Sequence, residues 1–567
     1  MVALKQFLQL GCILAVVNAD YCTNKKQQPV VDLGYEIYQA TGANNVGSHL
    51  PADSDSYYTF SNIRYAAPPV GDLRWKAPVP PLTNRSAIQS NAESITCAQA
   101  TPSWQMRTSQ YTNDYLKTGN VPNVSYSGLT AISAGGVEDC LFLDVQVPRK
   151  IFDNAKTDKK LSPVLVWIHG GSFIAGSKTS FGSSKGLIDR SQAGGSEGVV
   201  YVSLNYRLGA FGFLSGPSFE AEDGLLNAGI HDQRLALQWI QDNIYRFGGD
   251  RNQVTVFGES GGSGSIMHHI TAYGGETPAL FNQAVLQSPA YYPYRSSENQ
   301  EKSFKDFLAL ANVTSLNEAR QLPSDVLVLA NSNSVGVTQP YASAVYGPTP
   351  DGSFVKADPK ALLRRGEYDQ SVNILISHTS DEGLVLVPAV HTDDEYEKLV
   401  KNLLTRAKSS TIDHITETLY PPVFDGSHGY TNNYQRAALT ASDLIIDCNA
   451  AVLNTAFKNS SAYFFDVQPG IHAQDTGYTF YTPNEKPSSY NLVDTGAVNQ
   501  TIAFVIQDYI LSLAKHGTLN SAVDGLSSIP KFGSQAKTVH LTGDNITISH
   551  DPAANQRCQW WSLDLFD

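Results

Sequence analysis

Positive charge is in short supply: 40 Lys and Arg stand against 53 Asp and Glu, for a net charge of −13. That balance repels a phosphate backbone, so nucleic acid and anionic membrane surfaces are not expected partners. Long apolar runs are missing as well. After the first 19 residues no stretch approaches the roughly 18 uninterrupted apolar residues of a membrane-crossing helix, and integral membrane association is not expected. The tail QWWSLDLFD lacks the hydrophobic run of a lipid-anchor signal. None of the six cysteines forms a CxxC pair, which removes zinc-type spacing. No metal or cofactor is expected. His268 and His269 are adjacent, point different ways on a helix, and have no HExxH nearby. The run Gly171 to Gly176 with Ser177 and Lys178 is one residue out of step with a phosphate loop, and GESGGSGS has Met267 where a dinucleotide fingerprint needs its third glycine. Internal repeats, charge blocks and long Ser, Gly or Pro linkers are also absent.

What is present is an ordinary globular composition, 42% hydrophobic and 16% charged. Residues 1–19 run from Lys5 through an apolar stretch to Val17-Asn18-Ala19, the order of a secretory signal peptide. Its removal would take Cys12 and leave Cys22, Cys97, Cys140, Cys448 and Cys558, so one or two disulfides and one unpaired cysteine are expected in an oxidising compartment. Sequons at Asn84, Asn123, Asn312, Asn459, Asn499 and Asn545 are candidate glycosylation sites and agree with secretion.

From about residue 160 onward, short β-branched runs alternate with helical patterns: VLVWI (164–168), VVYVSL (199–204), VTVF (254–257), NILIS (373–377) and AYFFDV (462–467). Runs this apolar suit strands buried on both faces. Between the second and third lies HDQRLALQWIQDNIYRF, with Leu235, Trp239, Ile240, Ile244 and Phe247 on roughly one helical face. Repeated strand, helix, strand implies a mainly parallel α/β sheet.

The pattern Gly-x-Ser-x-Gly occurs at Ser184, Ser196 and Ser260. A nucleophile elbow needs a strand, a sharp turn and a helix, so that the serine stands exposed at the strand's end. Only Ser260 has that context, following VTVF and preceding a helical stretch; the other two read as turns. An attacked ester also needs donors for its oxyanion, and HGGSF after the strand ending at Ile168 supplies a loop of unhindered N–H groups.

With these motifs in place, the chain resembles the type-B carboxylesterase and lipase family, which includes the cholinesterases and secreted fungal carboxylesterases. FSNIRYAAPPVGDLRW (60–75), EDCLFLDV (138–145), VLVWIHGGSF, NYRLGAFGFL (205–214), the run from Asp232 through FGGDRNQVTVFGESGG, and SDEGL (380–384) look like its landmarks, in the expected order. The resemblance implies an α/β-hydrolase fold with a large, mainly parallel central sheet flanked by helices, as one catalytic domain spanning 20–567. It assigns Ser260 as nucleophile, Glu382 as acid and His472 as base, with oxyanion donors at Gly171, Ser172 and Gly261. The order Ser260, Glu382, His472 is that of α/β hydrolases, and each of the last two follows a predicted strand, the edge where open α/β sheets place their sites. From the residues alone, Asp381, Asp351 and His378 remain open. Ser172 stands where the family usually has a third glycine and Gly261 where it usually has alanine. Either backbone donor survives, while the hydroxymethyl group bears on the room above the serine.

The resemblance further pairs Cys97 with Cys140 and Cys448 with Cys558, leaving Cys22 without a partner. It places the 97–140 loop over the active-site mouth, where lipases carry a greasy lid. Here that segment is polar and Gly/Ser-rich, which favours soluble esters over an oil surface; its Trp104 reads as a packing aromatic. Tyr291, Tyr292 and Tyr294 after LQSPA, together with Phe173, are candidate substrate-binding residues. The expected function is a secreted serine hydrolase acting on a small-molecule carboxylic ester through an acyl-enzyme, with a triacylglycerol lipase and a non-catalytic binding protein as rivals. The sequence carries no signal for oligomeric state.

Overall fold

A computed structural model describes residues 28–41, 57–124, 135–157, 160–337, 343–485, 493–526 and 529–563. The signal-peptide reading of 1–19 and the assignment of Cys22 lie outside the described residues. Ten strands build the central sheet: β1 (Tyr57–Arg64), β2 (Phe142–Pro148), β3 (Ser162–Ile168), β4 (Val200–Leu204), β5 (Gly249–Glu259), β6 (Gln283–Gln287), β7 (Asn373–Thr379), β8 (Ser461–Asp466), β9 (Lys537–Thr542) and β10 (Ile546–His550). Their spatial order is β10-β9-β8-β7-β6-β5-β3-β4-β2-β1. From β4 to β9 all neighbours are parallel. Antiparallel pairs finish both edges, β4 with β2 and β2 with β1 at one side, β9 with β10 at the other.

All five runs expected as strands are strands, and their composition explains why. In β3, Val164, Val166 and Ile168 enter one apolar cluster, while Leu165 and Trp167 point through the opposite face into another. Each such fully buried side chain contributes about 1.5–3 kcal/mol, so both faces need cover. Helix α2 (Ala228–Asn243) covers the first face through Ile230, Ala236, Leu237 and Ile240. Helix α5 (Gln500–His516) covers the second through Val505, Ile506, Tyr509 and Ile510. The expected face of α2 needs one correction. Leu235 packs against the cluster on the first face but is only partly buried, while Leu237 is fully buried in it; Ile244 and Phe247 belong to a 3-10 turn that follows the helix.

Three more helices bear on the site: α1 (Ser103–Thr118), α3 (Gly261–Ile270) and α4 (Asn433–Ser442). Disulfides join Cys97 to Cys140 and Cys448 to Cys558, the pairing that the resemblance implies. Five of the six sequon asparagines are exposed. Asn499 is not free in the same way: its carboxamide oxygen caps α5 by accepting from Thr501 and Ile502, and its nitrogen donates to the Gly543 carbonyl at 2.8 Å.

Candidate active site

Strand β5 ends at Glu259 and α3 begins at Gly261, so Ser260 occupies the sharp turn between them at φ 55°, ψ −126°. A non-glycine residue there costs about 1–3 kcal/mol and persists only if its surroundings hold it. They do: its N–H donates to Gln287 O at 3.1 Å, and its carbonyl accepts from Gly264 at 2.8 Å and Ala290 at 3.1 Å. Glycines make room on both sides. A Cβ at Gly258 would lie 2.8 Å from the Ile168 carbonyl oxygen, and one at Gly262 would collide with that same oxygen. The other two serines of the repeated motif sit elsewhere, Ser184 against Gln146 at the start of a short helix and Ser196 in a turn before β4.

Strand β7 leads to Glu382 and β8 leads to His472, and the parallel sheet brings both loops to the end of β5. His472 Nε2 lies 2.8 Å from Ser260 Oγ, and His472 Nδ1 lies 2.5 Å from Glu382 Oε2. The other carboxylate oxygen of Glu382 accepts from the Ser288 hydroxyl at 2.6 Å and the Thr379 N–H at 2.7 Å. Glu382 is fully buried, and Ser260 and His472 are each 7% exposed. Two of the three alternatives are engaged elsewhere. Asp351 accepts from Ser353 and Val355 in its own turn, His378 pairs with Asp551 and Asp447, and Asp381 is raised to about 7 by burial and by Asp466, Asp447 and Glu382. His268 and His269 diverge, toward Tyr294 and Gln233 respectively.

Burial alone would lower the basicity of His472, but Glu259 and Glu382 reverse that and raise it above its ordinary 6.5. Burial acts on Glu382 in the opposite sense, yet His472 and the bonds from Ser288 and Thr379 keep its carboxyl below the usual range. Glu259 is different. Its carboxylate lies 3.3 Å from His472 Nε2, has no hydrogen-bond donor among the described residues, and is pushed up to about 8, chiefly by burial. The ionised form of Glu259, which gains ground as pH approaches about 8, favours imidazolium, so a reaction needing neutral His472 should rise with pH through a limb above 6.5. Glu259→Gln removes that charge and is expected to move the acid limb of kcat/KM to lower pH. A pH profile of an aryl ester checks this, and a limb that stays or moves upward contradicts it.

Facing the elbow is the loop after β3, with Gly171, Ser172 and Phe173 all at positive φ. It lies close: a Cβ at Gly170 would come within 3.1 Å of Ser260 Cβ, and one at Gly261 within 3.3 Å of Ser172 N. Among the described residues no acceptor takes the N–H of Gly171, Ser172 or Gly261. Burial pushes the phenol of Tyr292 up to about 12, with the nearby Ser172 side chain acting in the opposite sense. Phe173, Tyr292 and Tyr294 line a cavity of about 30 Å³ with Ser215 and Tyr346. Tyr291 does not join them; it is buried in the core, with its hydroxyl on Asp358. A far larger groove, about 1670 Å³ between Leu363 and Ser562, touches none of these residues, so volume does not mark this site.

The carboxylesterase family model matches residues 39–561. The chain belongs to the carboxylesterase family. Among curated members, it is 39% identical to the carboxylesterase patB of Penicillium expansum, over 94% of this chain and 95% of that protein. It is 33% identical to Lipase 1 of Geotrichum candidum, over 76% of this chain and 82% of that one. The crystal structure of Aspergillus niger EstA superposes with a TM-score of 0.73 at 22% identity, covering 94% of this chain and 98% of that one, a likeness of α/β-hydrolase fold.

Within this carboxylesterase fold, sequence reasoning missed Ser288 and Glu259. Ser288 follows β6 at φ 48° and is recognisable only once β6 and β7 lie side by side. Glu259 sits inside the serine motif itself, and its carboxylate gains meaning only from the distance to His472.

Proposed function

We propose that this carboxylesterase cleaves small-molecule carboxylic esters by acyl transfer through Ser260. The single observation carrying this reading is the continuous contact from Glu382 through His472 to Ser260, at 2.5 and 2.8 Å. His472 Nε2 takes the Ser260 proton as Oγ attacks the ester carbonyl. Glu382 holds the imidazole by Nδ1 and stabilises the imidazolium. The N–H groups of Gly171, Ser172 and Gly261 receive the oxyanion, each such donor being worth about 3–4 kcal/mol. The imidazolium then protonates the departing alcohol, and water repeats the attack on the acyl-enzyme with His472 as base. Phe173, Tyr292 and Tyr294 shape the neighbouring cavity.

Residues 20–567 act as one catalytic unit, a reading supported by sheet strands that run from Tyr57 to His550 and by functional groups drawn from three separated loops. The 97–140 loop covers the mouth. Secretion is supported by the two disulfides and by a relative named "Secreted lipase" from Arthroderma benhamiae. Among the described residues no helix is long and apolar enough to cross a membrane. Relatives named as lipases keep triglycerides as a second substrate reading.

Partitioning tests the acyl-enzyme. With methanol added, the ratio of methyl ester to free acid should be the same for phenyl, p-nitrophenyl and ethyl esters of one acid, because all pass through one intermediate. A ratio that changes with the leaving group contradicts it.

A further inference from the structure

Residues 97–118, the start of the 97–140 segment, bridge the two walls of the site. On one side, Ala100 N–H donates to Ile174 O at 3.1 Å and Gln99 Oε1 accepts from Gly176 N–H at 2.9 Å, both in the loop that carries Gly171 and Ser172. On the other side, α1 reaches the loop that carries Glu382. The Tyr111 hydroxyl donates to Val387 O, and Thr112 Oγ1 donates to Leu384 O at 3.3 Å and lies 3.2 Å from the Tyr434 hydroxyl. Tyr434, on α4, donates to that same Leu384 carbonyl at 2.6 Å. Gly383 N–H donates to Ser442 Oγ on α4 at 2.8 Å.

These groups are dry. Thr112 and Tyr434 are fully buried and Tyr111 is 2% exposed. Tyr111 and Tyr115 both meet the Tyr434 ring edge-on, at 5.9 and 4.9 Å. Lifting α1 would exchange the Thr112 and Tyr111 hydrogen bonds for water, at about 0.5–1.5 kcal/mol each, and would expose the Tyr111, Tyr115 and Tyr434 rings that now pack together. The outer face gives nothing back at an oil surface. Among the described side chains of α1, Arg107, Gln110, Asp114, Lys117 and Thr118 are exposed beside one exposed apolar residue, Leu116, whereas docking on lipid needs a contiguous apolar patch.

We propose that α1 is a fixed roof, latched by Tyr111, Thr112 and Tyr434 to the loop carrying Glu382, which commits the enzyme to esters dispersed as single molecules in water. The proposal rests on the esterase reading and deepens it. Tyr111, Thr112 and Tyr434 are positioning residues, since they touch the Glu382 loop and not the substrate.

The test compares full-length enzyme with Tyr111→Phe/Thr112→Val, a pair that keeps shape and removes only the latching hydroxyls. On tributyrin, the wild-type rate should pass the solubility limit with less than about a twofold change, and a jump of about tenfold or more there overturns the fixed roof. On a soluble aryl ester, the double variant should lose about 5- to 10-fold in kcat with KM held within about twofold, the pattern of a misplaced acid loop. Unchanged kcat overturns the latch. Hydrogen exchange needs no turnover: the amides of α1 and of 383–387 should be protected together and exchange faster together in the variant. An α1 that exchanges freely in the wild type contradicts the proposal. A wild-type enzyme that turns over neither ester would instead fall on the esterase reading, with exchange still deciding the latch.

Discussion

Ser260→Ala should lower kcat for a short-chain aryl ester by about 10⁶-fold, with KM and the urea unfolding midpoint close to wild type. Alanine meets the same φ of 55° as serine, so the strain at the turn carries over unchanged. The backbone bonds to Gln287, Gly264 and Ala290 do not involve the side chain. Only Oγ disappears, and with it the atom 2.8 Å from His472 Nε2. Residual turnover from the facing N–H groups and from binding should remain measurable above water. A variant that keeps a tenth of wild-type kcat contradicts the assignment; one that loses activity and unfolds early points instead to a structural serine, which is why both measurements are made on one preparation.

Glu382→Gln should cost about 10⁴-fold in kcat at nearly unchanged KM, through a tautomer error rather than a change of shape. The reason lies in the partners of the far oxygen. Ser288 Oγ and Thr379 N–H both donate to Oε1, so a glutamine there must present its carbonyl to them. Its NH₂ then faces His472 Nδ1, which has to accept. The ring proton is forced onto Nε2, the atom that must be bare to take the proton of Ser260. Stopped-flow or steady-state rates check the loss. A fall of less than about tenfold would show that Glu382 is packing and not an orienting acid. Adding Ser288→Ala to this variant should return little of the activity, because the Thr379 N–H still demands the carbonyl there.

The parts of the fold legible in sequence were those under the strongest physical constraint. The central strands are apolar on both faces, so VLVWI and VTVF could be read without partners. The edge strands could not. β10 has no buried position, each of its residues being partly buried or exposed, and β1 and β2 appeared only as landmarks of a resemblance. The elbow was legible because strand, serine and glycines are contiguous, and because Gly258 and Gly262 have no room for a side chain. Glu382 was harder: Asp381 stands beside it, and only the register of β7 against β8 decides which carboxylate meets His472. The roof was the least legible element. A polar Gly/Ser-rich stretch is in part the 16-residue helix α1, whose inner face is threonine and tyrosine rather than leucine. Its burial depends on carbonyls supplied by residues almost three hundred positions away.

The most direct measurement of the central claim, that Glu382 and His472 make Ser260 a nucleophile, is covalent labelling with a fluorophosphonate followed by peptide mass spectrometry. One phosphonate per chain is expected, on the peptide carrying Ser260, at a rate that falls steeply in His472→Ala and to nothing in Ser260→Ala. An unlabelled wild-type enzyme, or a phosphonate on another serine with Ser260 untouched, would contradict it.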